Sequence, residues 1–142
     1  MRTRQKAGRS VRGQTMVEFA LVFPVFILLV LGIVDLGRAV WQYSTLSNAA
    51  REGARYGIVL KNPNGTVRTD AQIIDVVKEK AVAVDIAGGG SVDIAPSGTR
   101  TVPGTITVTV NYQFQPITPL IGNAIPDGVI NLTGRSKMNM EH

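Results

Sequence analysis

An uninterrupted apolar run near the N-terminus constrains this chain more than any other feature of its sequence. Residues 19–34 contain no charged side chain, and at 1.5 Å per residue a helix of that length measures roughly 24 Å. A helix that begins at Gln14 measures about 31 Å, which matches the ~30 Å hydrocarbon core of a bilayer. The sequence therefore predicts a membrane-spanning helix, with Glu18 just inside its entrance.

The positive charge of the chain is concentrated before this run. The formal net charge is +5, and residues 1–13 contain five basic residues and no acid, so the remainder is balanced. A nucleic-acid-binding domain would be expected to carry a basic face on its folded part, so we expect no nucleic-acid partner. A basic stub before a membrane helix instead favours a cytoplasmic N-terminus.

Three interpretations of this N-terminus compete. The first is an ordinary single-pass anchor. The second is a cleaved secretory signal, for which Gly37 and Ala39 provide small residues, although Asp35 and Arg38 in the same region count against it. The third is a prepilin-type signal, in which cleavage before the apolar run leaves that run on the mature protein. The residues favour the third, because Gly13 ends the basic stub.

The lone carboxylate acquires a physical role in the third interpretation. Membrane segments rarely tolerate an acid unless it is paired or functional. Cleavage between Gly13 and Gln14 creates a new amine, and Glu18 lies one helical turn beyond it. The carboxylate of one subunit can then neutralise the amine of its neighbour. Because either charge alone costs several kcal/mol in lipid, the pair would favour a staggered register.

The helix is expected to continue beyond the apolar run. Residues 35–58 contain no proline. Apolar residues recur there at spacings of three and four, typical of an amphipathic helix, at Leu36, Val40, Tyr43, Leu46 and Ala50. Ala49, Gly53 and Gly57 share one helix face and allow close backbone approach. We favour packing of this face on the chain's own sheet over a contact between subunits.

The remainder predicts a second helix and a small sheet. Thr69 or Asp70 can cap the helix, and the glycines at residues 88–90 are expected to end it. Its apolar positions are Ile73, Ile74, Val77, Ala81 and Val84. Strands are predicted over residues 92–95, 105–115 and 129–140, the second with strict alternation. Antiparallel pairing of the last two, covered by the helices, gives an α+β fold.

This fold has three parts. Residues 1–13 form a basic leader peptide, and residues 14–38 form the transmembrane helix. Residues 39–142 form an extracytoplasmic, pilin-like α+β domain, in which residues 39–60 continue the N-terminal helix. The whole is a long transmembrane-plus-amphipathic helix, a second helix and a small antiparallel sheet.

No pattern in the sequence predicts an enzyme. The only histidine is the terminal His142, and the chain contains no cysteine. The acids are scattered without metal-ligand spacing, and Asp75 and Glu79 are expected on a solvated helix surface. No serine occupies a nucleophile-elbow context. We therefore expect no catalytic, cofactor-binding or metal-binding residue and no small-molecule substrate.

Short motifs along nearly the whole chain are typical of one family. They are RGQTMVEFAL at residues 12–21, FP at 23–24, GIVDLGR at 32–38, AAREGAR at 49–55, ITVTVNY at 106–112, PITP at 116–119 and MNM at 138–140. With these motifs the chain resembles the TadE-like family, small pseudopilin-type proteins of the bacterial tight-adherence (Flp, type IVc) pilus apparatus.

The resemblance implies cleavage by a prepilin peptidase between Gly13 and Gln14, and it implies that Glu18 serves recognition or assembly. Two residues depart from related signals: Phe19 follows the glutamate where tyrosine is frequent, and Gln14 stands where other type IV pilins often carry phenylalanine. The implied role is that of a minor component in building the pilus used for surface adherence.

The implied location is the bacterial cytoplasmic membrane, crossed once, with the C-terminal domain outside the cytoplasm. The implied partners are the prepilin peptidase, other pilins or pseudopilins, the inner-membrane assembly platform and the lipid bilayer. The alternative is an unprocessed, single-pass membrane-anchored binding or adhesin domain.

Overall fold

The computed structural model describes residues 11–61, 63–82, 84–98 and 100–140. Most of the predicted leader peptide, residues 1–10, and the terminal residues 141–142 lie outside the described residues. Within the described ranges a long helix comes first, and shorter helices and the strands follow it.

The first element is a single helix, α1 (Val11–Gly57), of 47 residues. At 1.5 Å per residue it is roughly 70 Å long. It passes through Pro24 without ending, and it is long and apolar enough to cross a membrane. The predicted long N-terminal helix is confirmed, and it ends at Gly57 rather than at residue 60.

The two ends of α1 have different surroundings. Every residue from 13 to 30, hereafter the bare segment, is exposed, including its large apolar side chains. From Asp35 onward one face of the helix is buried against the residues that follow it. We call the described residues from 58 to 140, together with the part of α1 that they cover, the head. One continuous helix therefore has an uncovered apolar end and an end that belongs to a protein core.

The head contains one sheet of three antiparallel strands in the order β1-β2-β3. The strands are β1 (Gly90–Ala95), β2 (Gly104–Phe114) and β3 (Ile130–Met140). β2 pairs with β3 along its whole length, with Val108 opposite Ser136. Side chains alternate between the faces of a strand, and β2 buries Ile106, Val108 and Val110 on one of them. The predicted antiparallel sheet is confirmed.

Two helices cover the apolar face of the sheet. α1 lies against β3 and β2, and α2 (Asp70–Lys80) lies against α1. Thr69 caps α2 in a capping box: its hydroxyl accepts from the Gln72 N–H at 3.4 Å, and the Gln72 side chain accepts from the Thr69 N–H at 3.1 Å. The core contains Leu46, Ala49, Ala50, Ala54, Ile73, Val77, Ala81, Val84, Ile86, Ile106, Val108, Val110 and Met140.

The predicted end of the second helix is wrong. α2 ends at Lys80 with Ala81 as its cap, and the glycines at residues 88–90 do not terminate it. Asp85 begins a new short helix, α3 (Ile86–Gly89), because its side chain accepts from the Gly88 N–H at 3.0 Å. Gly90 instead starts β1, where a Cβ atom would lie 2.7 Å from the carbonyl oxygen of Asn111.

The apolar positions that spacing identifies on α1 are buried only in part. Of its five apolar positions, Leu46 and Ala50 are buried, whereas Leu36, Val40 and Tyr43 are exposed. The face that contacts the head passes instead through two polar residues, Asp35 and Gln42. Apolar spacing does not identify the buried side there because the part of the head nearest the bare segment contacts α1 through polar groups.

β2 and β3 are joined by a long connection, residues 115–129, which we call the strap. It contains a short helix, α4 (Pro119–Ala124), and a 3₁₀ turn at Pro126–Gly128. The strap returns to α1 near the end of the bare segment: a Cβ atom built on Gly32 would lie 3.9 Å from Cδ1 of Ile121.

We expect Gly134→Ala to destabilise the head. A Cβ atom at position 134 would lie 2.5 Å from the carbonyl carbon of Leu46 and 2.6 Å from its oxygen, so β3 and α1 would have to separate. Overpacking of this kind costs about 1–3 kcal/mol or more. Urea unfolding of the full chain in detergent measures the loss. The matched control is Gly37→Ala, where the Cβ meets nothing within 4 Å; equal midpoints for the two variants would contradict the prediction.

Candidate functional site

The predicted cleavage bond, Gly13–Gln14, lies within α1, close to the first of the described residues. Both residues are exposed. Glycine is a poor helix former, so this bond lies at a weak point of the helix that is also accessible from solvent.

Glu18 follows Gln14 by four residues on α1 and is exposed in the bare segment. Among the residues that the structure describes, none of the ion pairs includes Glu18. Phe19 is also exposed, and its ring stacks on Phe23 with the centroids 5.2 Å apart. The chain's own head therefore leaves this carboxylate and the neighbouring ring accessible to another molecule.

Glu18 begins a continuous stripe of exposed residues on α1. The members recur every three or four positions, so they share one side of the helix. We call this the outer stripe: Glu18, Val22, Val25, Leu29, Ile33, Leu36, Val40 and Tyr43. It extends beyond the apolar run and along the helix beside the head, and all its members after Glu18 except Tyr43 are aliphatic.

The small residues Ala49, Gly53 and Gly57 lie on a different side of α1. All three are buried within the head. A Cβ atom at Gly53 would collide with the side chain of Val77 on α2, and one at Gly57 would collide with Ile106 on β2. The structure thus places this face against the chain's own sheet and second helix, where the small size of these three residues permits close packing.

Asp35 forms the junction between α1 and the strap. It is 3% exposed, and its two carboxylate oxygens accept the backbone N–H groups of Ile117 at 3.0 Å and Thr118 at 2.8 Å. Arg38, one turn along, donates to the same carboxylate at 3.1 Å. Charge-assisted bonds of this kind are stronger than neutral ones, so the junction fixes the strap to the helix.

Further polar groups surround this junction. The guanidinium of Arg38 lies 5.3 Å from the centre of the Phe114 ring. Gln42 and Thr118 are buried, and their side-chain oxygens Oε1 and Oγ1 accept or donate no hydrogen bond within the described part of the chain. Arg38, Gln42 and Phe114 border a cleft of about 540 Å³ between α1, α3 and the start of the strap. The base of the head is thus polar and partly open.

The sequence alone did not reveal this role of Asp35. A carboxylate directly after an apolar run was a usable signal, but it served only as an argument against secretory-signal cleavage. Its partners lie 82 and 83 residues further along the chain, in a connection without a periodic pattern. The contact therefore could not be inferred from spacing.

Other titratable groups of the head form structural pairs. Arg100 is buried, contacts the carboxylate of Asp70 at the start of α2, and has its pKa lowered by burial. The hydrogen bond from Lys80 to Glu79 raises the pKa of Lys80. Asp75 is exposed on α2. Among the described residues no group of three or more His, Cys, Asp or Glu side chains is placed to hold a metal.

We expect Asp35→Ala to release the strap while the sheet stays folded. Two N–H groups would lose their acceptor, and each unsatisfied buried group costs about 1–3 kcal/mol. Because 1.4 kcal/mol is a factor of ten, hydrogen exchange at Ile117 and Thr118 should accelerate by roughly tenfold or more. Mass spectrometry of the full chain in detergent measures this exchange. The control is Asp75→Ala, and strap exchange that is unchanged by Asp35→Ala would contradict the role of Asp35.

Comparison with known proteins supports the resemblance of the N-terminal helix to the TadE-like family. No curated protein and no solved structure matches the chain. The family match extends from the predicted cleavage site to residue 55, within α1, and so includes Glu18, Asp35 and Gly53. Residues 13–55 match the model of the family described as TadE-like protein, which confirms the resemblance to the TadE-like family over this helix.

Proposed function

We propose that this chain is a pseudopilin-type subunit of a tight-adherence (Flp, type IVc) pilus assembly system and that it acts by association with other subunits in the membrane and pilus. The observation that carries this proposal is the outer stripe, which begins at Glu18 and remains uncovered by the chain's own head. The TadE-like match of residues 13–55, which indicates a Tad pilus-associated protein, supports it.

The proposed topology follows from charge. The basic residues before Gly13 stay in the cytoplasm. The helix of residues 14–38, which includes most of the bare segment, crosses the cytoplasmic membrane once, and the head lies on the opposite side. The exposed apolar side chains of residues 13–30 then face lipid or neighbouring helices rather than water.

The proposed processing step removes the basic stub. A prepilin peptidase hydrolyses the peptide bond between Gly13 and Gln14, which leaves a carboxylate on Gly13 and an amine on Gln14. The exposure of Gly13 and Gln14 supports the accessibility of this bond. Removal of residues 1–13 takes away the whole positive excess of the chain.

The proposed association pairs charges between subunits. The amine of Gln14 on one subunit neutralises Glu18 on its neighbour, whose helix is shifted by about one turn, or roughly 6 Å. Neither charge has to stay alone in lipid, where an unpaired charge is costly. The aliphatic members of the outer stripe then pack between the helices.

The proposed partners are the prepilin peptidase, other pilins or pseudopilins, the inner-membrane assembly platform and the lipid bilayer. In each case the chain supplies a scissile bond, a helix surface or a carboxylate. The proposed role therefore requires no catalytic residue on this chain.

The first prediction of this proposal concerns cleavage. In cells that contain an active prepilin peptidase, the intact mass of the membrane-extracted protein should correspond to a chain that begins at Gln14. Gly13→Ile should retain Met1, because a β-branched side chain hinders close approach of the backbone to the peptidase.

Gly37→Ala, a change at an exposed glycine of the same helix, is the matched control and should be processed as the wild type is. A wild-type chain that keeps Met1, while another prepilin in the same cells is cleaved, would exclude processing. It would favour the unprocessed anchored binding domain.

The second prediction concerns Glu18. In proteoliposomes with the cleaved protein, Glu18→Gln should weaken self-association, measured by energy transfer between labelled chains. The expected loss is about 1–2 kcal/mol, the scale of polar contacts between membrane helices, or roughly 5- to 30-fold. The control is Glu52→Gln, which changes a half-buried residue of α1 within the head and should leave association unchanged.

The uncleaved chain provides a further control for this experiment. It lacks the amine at Gln14, so Glu18→Gln should have little effect on its association. Equal association of wild type and Glu18→Gln in the cleaved form would contradict the charge pair, even if cleavage itself takes place.

A further inference from the structure

The strap lies beside α1 at the level where its apolar run ends. Ile121 of the strap lies next to Gly32, which is inside the charge-free run of residues 19–34. Ile117 and Thr118 are bound to Asp35, the first charged residue after that run. The strap therefore approaches α1 over the last turn of the segment that is apolar enough for lipid.

The height of this contact can be estimated from the helix rise. Gly32 lies 18 residues beyond Gln14, which corresponds to about 27 Å along the helix, within the ~30 Å thickness of a hydrocarbon core. Asp35 lies about 4.5 Å further along. If the bare segment spans a bilayer, α4 therefore lies at the outer boundary of the hydrocarbon.

The composition of the strap suits that position. Residues 115–126 contain no charged side chain, and the first charge is Asp127. Ile117 is 60% exposed to solvent, although a large aliphatic side chain of this kind gains about 1.5–3 kcal/mol when it is buried away from water. Ile117 lies in the same connection as Ile121, which approaches Gly32 on α1.

The hydrogen bonds of Asp35 fit the same position. Backbone N–H groups near lipid must be satisfied within the protein, because no water is present in the hydrocarbon core to bind them. The carboxylate of Asp35 accepts two such groups at the point where the strap meets α1. Arg38 and the exposed Trp41 follow on the outer side of this junction, and both residue types are suited to the headgroup region.

We propose that the strap is a second membrane-contact site: residues 116–126 insert shallowly into the outer face of the bilayer beside α1, with Ile117 in contact with lipid. The occupant of this apolar surface is the lipid bilayer. The inference goes beyond the proposed function, since it requires that α1 spans a membrane but requires neither cleavage nor pilus assembly.

The test uses the full chain in proteoliposomes. The sequence contains no cysteine, so single cysteines can carry an environment-sensitive fluorophore. The strap probes are Ile117→Cys and Ala124→Cys, both at exposed positions. Leu29→Cys on the bare segment is the lipid-contact reference, and Lys137→Cys on the exposed face of β3 is the water-contact reference.

The readout is loss of emission when part of the lipid carries a nitroxide near the top of its acyl chain. We expect both strap probes to be quenched, as contact with the outer leaflet requires, and the Lys137 probe to keep its emission. Quenching of the Leu29 probe by nitroxides placed deeper in the lipid acyl chain confirms insertion of α1.

Two results would overturn the proposal. In one, both strap probes keep their emission as Lys137 does, while Leu29 is quenched. In the other, the emission of the strap probes shifts to the blue without quenching, which indicates burial against a second protein chain. A failure of cleavage or of the Glu18 pair leaves this experiment unaffected, so the two proposals are tested separately.

Discussion

The hydrogen bonds between Asp35 and the strap are the constraint that sets where the head begins along α1. α1 has an uncovered apolar end and a buried end within the head, and Asp35 lies at the change from one to the other. A carboxylate there satisfies two backbone N–H groups of a connection that has no strand partner at this point. Because α1 is one continuous helix, fixing the strap at Asp35 fixes the height of the head above the membrane-compatible segment.

Small residues determine which side of α1 the head covers. Gly53 and Gly57 admit side chains from α2 and β2, and Gly134 brings the backbone of β3 against that of α1 at Leu46. The sheet therefore packs closely against one side of α1. The outer stripe stays uncovered on another side as a direct result.

The sequence predicted most of the regular structure because that structure follows local patterns. The alternation in residues 105–115 predicted β2, and the two candidate caps Thr69 and Asp70 predicted the start of α2, where Thr69 is the cap. The misplaced end of α2 has a local cause as well: Asp85 caps a new short helix, so the glycines that follow it do not terminate α2. The long-range contacts were beyond such patterns. Asp35 and its partners are far apart in sequence, and apolar spacing alone cannot identify the polar Gln42 as a buried residue of α1.

In the proposed assembly, the two ends of the outer stripe contribute differently to the affinity between neighbouring helices. Lipid tails are as apolar as leucine, so the stripe residues within the bilayer gain little from leaving lipid for a neighbouring helix. Leu36, Val40 and Tyr43 lie beyond the apolar run and are exposed, and full burial of such side chains from water is worth about 1.5–3 kcal/mol each. Affinity between subunits would then come mainly from this outer part, whereas Glu18 within the bilayer supplies the register. The two parts belong to one continuous helix, so a contact that forms in the outer part also helps to align the charges roughly 27–38 Å away.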